Sequence, residues 1–106
     1  MFKLKPNPTF IVEVDIPRAD GEDGKLKVKY KHKGKDGLQA FLESLGKDGD
    51  TRKDVDVLLD IMDGWDEVDA PFGEKSLTAM LNDFPAASKA IFDAYLPALM
   101  DGVRKN

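Results

Sequence analysis

The sequence predicts an α+β fold: one antiparallel β-hairpin packed against about four α-helices. Three observations carry this. Two stretches near the start alternate apolar and polar residues with period two. From residue 36 onward the apolar residues recur at helical spacing. Clusters of Pro, Gly and Asp separate the stretches and supply turn chemistry.

Residues 9–16, TFIVEVDI, place Phe10, Val12, Val14 and Ile16 on one face and Thr9, Ile11, Glu13 and Asp15 on the other. Residues 25–32, KLKVKYKH, alternate more cleanly. Leu26, Val28, Tyr30 and His32 face one way; Lys25, Lys27, Lys29 and Lys31 face the other. Between them PRADGEDG reads as a long hairpin tip. A lone hairpin is marginal in water, so its apolar face needs helices on top. Residues 2–5 are a candidate for a short third strand.

The first helix is expected over residues 36–45, where Leu38, Phe41, Leu42 and Leu45 share a stripe. Asp36 and Gln39 have capping-box spacing, and Gly46 is the expected stop. Thr51 and Asp54 repeat the capping pattern before Val55, Leu58, Leu59 and Met62, a second stripe that Gly64 is expected to end in the left-handed conformation. The tetrapeptide GKDG, at 34–37 and 46–49, reads as turn chemistry in both copies. A third helix is expected over 74–83. Phe84 precedes Pro85 and is pushed out of the helical region. Pro85 suits the first turn of a fourth helix over 85–101, which Pro97 would bend and Gly102 would end.

At 106 residues the chain has the size of one domain, with a hairpin region over 1–35 and a helical region over 36–103. It has no cysteine, so it has no disulfide framework, zinc–thiolate site or thiol nucleophile. That fits a reducing cytoplasm. No apolar run reaches the length of a membrane span. The opening MFKLKPNPTF is too short and too broken by proline for a signal peptide. The net charge of −4 hides a polarity: residues 1–35 carry +4 and residues 36–103 carry −10. Such a chain can associate head to tail or steer a charged partner, or its charges can simply be a solvated surface.

Catalytic and ligand constellations are weak. A calcium loop begun at Asp48 places Lys53 where glycine is needed and Leu59 where the bidentate glutamate belongs; one begun at Asp60 puts Met62 at a ligand position. His32 is the only histidine, so no zinc spacing can be written. Ser44, Ser76 and Ser88 lack a nucleophile-elbow context. Neither nucleotide-binding glycine motif is present. The lysine row Lys25, Lys27, Lys29 and Lys31 could track phosphates or an acidic partner. Tyr30 points to the opposite face, however, and exposed lysines also keep sheet faces and edges apart.

The fourth helix is the most unusual element. From Ala86 to Met100, eleven of fifteen residues are apolar. Ala87, Ala90, Ile91, Ala94, Tyr95 and Ala98 make one face. Phe92, Leu96 and Met100 make a second row, which belongs either to the core or to an interface. The stretch 62–72, MDGWDEVDAPF, sets the only tryptophan, Trp65, among Asp63, Asp66, Glu67 and Asp69. It reads as a structural corner: Trp65 packed on the third and fourth helices through Leu81 or Ile91, its acidic neighbours facing solvent.

The order of these elements resembles the short tail assembly chaperones of lambda-like long-tailed phages (siphophages). The resemblance rests on NPTFIVEVDIP, on LKVKYKH leading to GLQAFLES, on GWDEVDAPFGEKSLTAMLNDFPAASKAIFDAYL and on the RKN end. Gly64-Trp65, Pro71-Phe72 and Phe84-Pro85 are its punctuation. Gly73 departs from it, standing where a serine-like cap is expected. The resemblance implies a protein without catalysis, cofactor, nucleic acid or membrane. Its partner would be the tape measure protein, coated before tail-tube protein polymerises around it. It implies a homo-oligomer of ring or spiral form, acting in the host cytoplasm and absent from the mature virion. It also implies a longer frameshifted form of the same chain. Lys105-Asn106 after Arg104 is compatible with a slippery A-AAA-AAC string.

Overall fold

Residues 1–46 and 52–101 are described by the computed structural model. The two alternating stretches form strands β1 (Thr9–Ile16) and β2 (Gly24–Lys31), paired antiparallel from Thr9↔Lys31 to Ile16↔Gly24. Four helices follow: α1 (Lys35–Gly46), α2 (Asp54–Ile61), α3 (Glu74–Asp83) and α4 (Ala87–Asp101). A third strand, β3 (Met62–Asp66), pairs antiparallel with β2, giving the order β1-β2-β3.

The third strand is therefore not the 2–5 segment. Phe2 and Leu4 stand almost wholly exposed before the hairpin. Nor does Gly64 end a helix. Helix α2 stops at Ile61, Met62 is already extended, and Gly64 lies in β3 opposite Lys29 without a positive φ. The sequence signal was ambiguous because glycine serves both as a helix stop and as a strand position of close approach. Here Gly64 is buried, and a Cβ added to it would touch the Lys29 side chain at 4.0 Å.

The β2–β3 register explains where Trp65 goes. Lys29 pairs with Gly64, but its neighbour Tyr30 pairs with Met62, so Asp63 is an extra residue on β3. This bulge breaks strict alternation. Met62 and Trp65, three residues apart, thereby both oppose the inward-facing pair Tyr30 and Val28.

Three other local expectations shift. The first GKDG copy is not a turn. The Leu38 amide bonds the Gly34 carbonyl at 2.8 Å, so α1 starts at Lys35 and takes in Asp36 and Gly37. Asp36 sits in the first turn, where a carboxylate favours the positive end of the helix dipole, and Gln39 bonds Glu43 in place of a cap. Pro85 lies in the turn just ahead of α4, whose Ala87 amide bonds the Phe84 carbonyl at 2.9 Å. Expectations placed at Thr51, on the rest of the second GKDG copy after Gly46 and at Gly102 fall outside the described residues.

The inner sheet face and the helices share one core. Val14, Leu26, Val28 and Tyr30 meet Leu58, Ile61, Leu77, Ile91 and Tyr95, and among the described residues no charged side chain is buried. Helix α4 lies on the hairpin, as its alanine-rich face allows, with Ala87 and Ile91 fully buried. Two tyrosines lock this docking. Tyr30 donates its hydroxyl to the Ile91 carbonyl of α4 at 2.7 Å. Tyr95 donates in return to the Lys31 carbonyl of β2 at 2.8 Å. Their rings lie 5.1 Å apart, with Phe10 at 5.6 Å from Tyr30 and Phe41 edge-on to Tyr95 at 6.4 Å. Phe41 is the one fully buried side chain of α1, and Lys33 caps its ring at 5.5 Å.

Burial pushes the Tyr95 phenol from 10.0 up to about 12, and Tyr30, more deeply enclosed and beside Tyr95, higher still. The unfolded chain gives up these protons first as pH rises. The stability tied to the protonated pair is complete below about pH 10 and is lost as pH climbs toward the folded-state values. Tyr30→Phe should cost about 1 kcal/mol near neutrality, since the Ile91 carbonyl keeps its helical partner. The double variant Tyr30→Phe, Tyr95→Phe should lose thermal midpoint less steeply than the parent between about pH 9 and about pH 12. Equal slopes would show that the phenols are not protected by the fold.

Candidate functional site

Chemistry is the first question for any site. Among the described residues no group of three or more acidic or histidine side chains is placed to hold a metal ion. His32 is exposed just past β2, and its backbone amide bonds the Pro8 carbonyl at 2.9 Å. Ser44 and Ser76 donate to backbone carbonyls at 2.6 and 2.7 Å. Three surfaces remain as candidates for contact with a partner.

The first is the outer sheet face. The lysines stand on one side, as their alternation requires, but they meet the chain's own acids. Lys25 reaches Asp15 at 2.7 Å. Lys27 pairs with Glu67. Lys29 faces Asp63 at 3.9 Å, and Lys31 donates to the Leu59 carbonyl at 3.2 Å. Hydrogen bonding to Asp15 and to Glu67 raises the already high pKa of Lys25 and of Lys27. Glu67 takes a left-handed backbone, φ 56°, to turn out of β3. So the acidic segment around Trp65 supplies the counter-charges for Lys27 and Lys29, while β1 supplies that of Lys25. The β2–β3 pairing brings together two runs that the sequence keeps far apart.

The second surface is the outer row of α4. Its three residues are not equivalent. Phe92 packs against the core, 6.3 Å from the Phe41 ring, and lines a hollow of about 410 Å³ with Leu45, Val57 and Pro85. Leu96 is half-buried. Met100 is 71% exposed. The row thus runs from core to solvent along the helix. Tyr95, one residue before Leu96, belongs to the buried cluster described above.

The third surface is a cleft of about 410 Å³ beside the hairpin tip, which the sequence did not reveal. Ile16, Leu26, Trp65, Val68, Met80 and Phe84 line it, with Arg18, Lys25, Asp69 and Asp83 among its polar margin. Phe84 is 37% exposed. Its setting before Pro85 was the one available signal, since that proline forces the residue off the helix. Trp65 forms the floor. Its indole donates to the Ala70 carbonyl at 2.8 Å, and Phe72 meets its ring edge-on at 5.2 Å. Leu81, Ile91 and Trp65 belong to the same core cluster, and Phe72 is the aromatic ring that meets the indole. Pro71 is exposed, and its carbonyl accepts Ser76. Gly73 precedes α3 in an extended conformation with no side-chain cap.

No helix among the described residues is long and apolar enough to cross a membrane. What the surfaces offer is apolar contact framed by charge. The chain belongs to the phage tail assembly chaperone family, whose model matches residues 1–106. The role of that family is assembly, not catalysis. No curated protein and no solved structure matches the chain.

Trp65→Ala should destabilise the fold by about 2–4 kcal/mol, somewhat less than a fully buried tryptophan costs, because one side of the ring lines the cleft. Urea unfolding followed by circular dichroism checks this. A midpoint within error of the parent would show that the ring contributes nothing to the fold.

Proposed function

We propose that this protein is a non-enzymatic chaperone that coats the tape measure protein before tail-tube subunits polymerise around it, and then leaves. It works without a cofactor, as a self-associating oligomer in the host cytoplasm, and is absent from the mature virion. The observation that carries this is the match of the family over the whole chain. The surfaces are compatible with it. A long amphipathic protein presents apolar side chains repeatedly, and a small chaperone must meet them with many copies. Leu96 and Met100 supply apolar surface at the open end of α4. The alternative, a nucleic-acid or acidic-partner module built on Lys25, Lys27, Lys29 and Lys31, is disfavoured because these lysines are engaged within the chain.

Co-production with the tape measure protein tests the reading directly: that partner should stay soluble and co-purify only when the chaperone is present. Leu96→Asp and Met100→Asp should weaken the complex about tenfold or more, with unchanged circular dichroism, since burying each side chain is worth about 1.5–3 kcal/mol. Phe92→Asp should instead lower the thermal midpoint, because it packs against the Phe41 ring. Full co-purification by the Leu96 and Met100 variants would remove α4 from the interface. A tape measure protein equally soluble alone would remove the proposed role.

The same reading expects two products from one gene. The codons for Arg104, Lys105 and Asn106 should contain A-AAA-AAC, on which both tRNAs re-pair after slipping back one nucleotide. Sequencing the gene checks this. Lack of both the string and an overlapping frame would rule out the longer form.

A further inference from the structure

We propose that the cleft beside the hairpin tip receives residues 2–5 of a second copy of this chain. This deepens the self-association proposed above and rests on it.

The segment before β1 has the pattern of a strand and no strand to join. Phe2 and Leu4 alternate with Lys3 and Lys5, and Phe2 and Leu4 are 87% and 90% exposed. Extended, such a segment turns two apolar side chains one way and two cations the other. The cleft offers complementary chemistry. Its walls are apolar, and Asp69 and Asp83 stand on its margin with no ion pair among the described residues. The cations on the same margin are already engaged, Arg18 with Asp20 and Lys25 with Asp15. The margin therefore favours an incoming Lys3 and Lys5.

Chain geometry assigns the segment to another molecule. The cleft lies at the Ile16 end of β1, whereas the segment leaves from the Thr9 end. These ends are about 23 Å apart at the usual rise per residue. The segment is held at Pro8, whose carbonyl accepts the His32 amide. From Pro8, Leu4 reaches at most about 14 Å and Phe2 about 21 Å, fully extended. The segment also leaves β1 heading away from the Ile16 end, so even this reach would need a full reversal. Donor and acceptor surfaces at opposite ends of the hairpin make a head-to-tail contact, which propagates into a ring or an open spiral.

Sedimentation of three full-length proteins tests this: the parent, an arm variant (Phe2→Ser with Leu4→Ser) and a cleft variant at Ala79, an α3 residue that lines the cleft (Ala79→Arg). All three changed side chains are exposed, so the fold should survive. The parent should associate with rising concentration and shift its Trp65 emission as it does. Each variant alone should associate at least tenfold more weakly. Their mixture should form a one-to-one dimer, because one retains an open cleft and the other an intact arm. Variants that associate like the parent would place self-association elsewhere and overturn the cleft assignment alone. If such variants instead lost the tape measure protein, the cleft would belong to that partner. Monomeric variants that fail to dimerise when mixed would also overturn it. A parent that stays monomeric would overturn self-association itself, and this assignment with it.

Discussion

The reciprocal pair of tyrosine hydrogen bonds is the constraint from which the rest of the structure follows. A hairpin has a flat apolar face, and a helix laid on it could slide or rotate at little cost. Tyr30 reaching up to Ile91 and Tyr95 reaching down to Lys31 remove both freedoms at once. Each phenol buries a large ring and satisfies its hydroxyl on a backbone carbonyl, so the anchoring carries no unpaired polar group. With α4 fixed, Phe41 finds its slot against Tyr95 and brings α1 with it. Ile91 enters the same buried cluster as Leu58 and Leu77, which commits α2 and α3. The outer row of α4 is then set by rotation alone. Because Ile91 and Tyr95 point inward, Phe92 and Leu96 fall at the margin and Met100 stands in solvent.

The sheet separates two kinds of interaction by its faces. Inside are aromatic and branched side chains; outside are lysines flanked by carboxylates of β1 and of the β3 exit. Individually these exposed pairs contribute little to stability. What they change is the charge of that face, where each of Lys25, Lys27 and Lys29 stands beside a carboxylate of the same chain.

The two hairpin strands were legible in the sequence because their alternation is local and clean. Helix α3 was legible to the residue, since Leu77, Met80 and Leu81 stand between Gly73 and Pro85, two strong boundary signals. β3 was not legible. MDGWD is too short to show a period, its one-residue bulge disrupts that period, and its partner strand lies far back in the chain. A glycine after a helical stripe looks like a helix stop when only local pattern is weighed. Residues 2–5 are a candidate strand by pattern, but the chain's own sheet has no place for them. Of the candidate surfaces, the lysine face and the α4 row could be listed by face alone. Their state could not: neutralisation of the one and graded burial of the other are tertiary facts. The cleft joins the hairpin tip, Trp65 and the end of α3, and no local pattern points to it.

The return of β3 to β2 also orders events during synthesis. The hairpin is finished early, and Asp15 and Glu13 arrive with it, beside Lys25. Lys27 and Lys29 must wait for Glu67 and Asp63, which emerge only after α1 and α2. Closing so long a segment costs about 3 kcal/mol of chain entropy. Burial of Met62 and partial burial of Trp65 offset part of that cost. Until then a nascent chain displays a partly uncompensated cationic hairpin; β3 discharges that surface, and the core closes only once α4 supplies Ile91 and Tyr95.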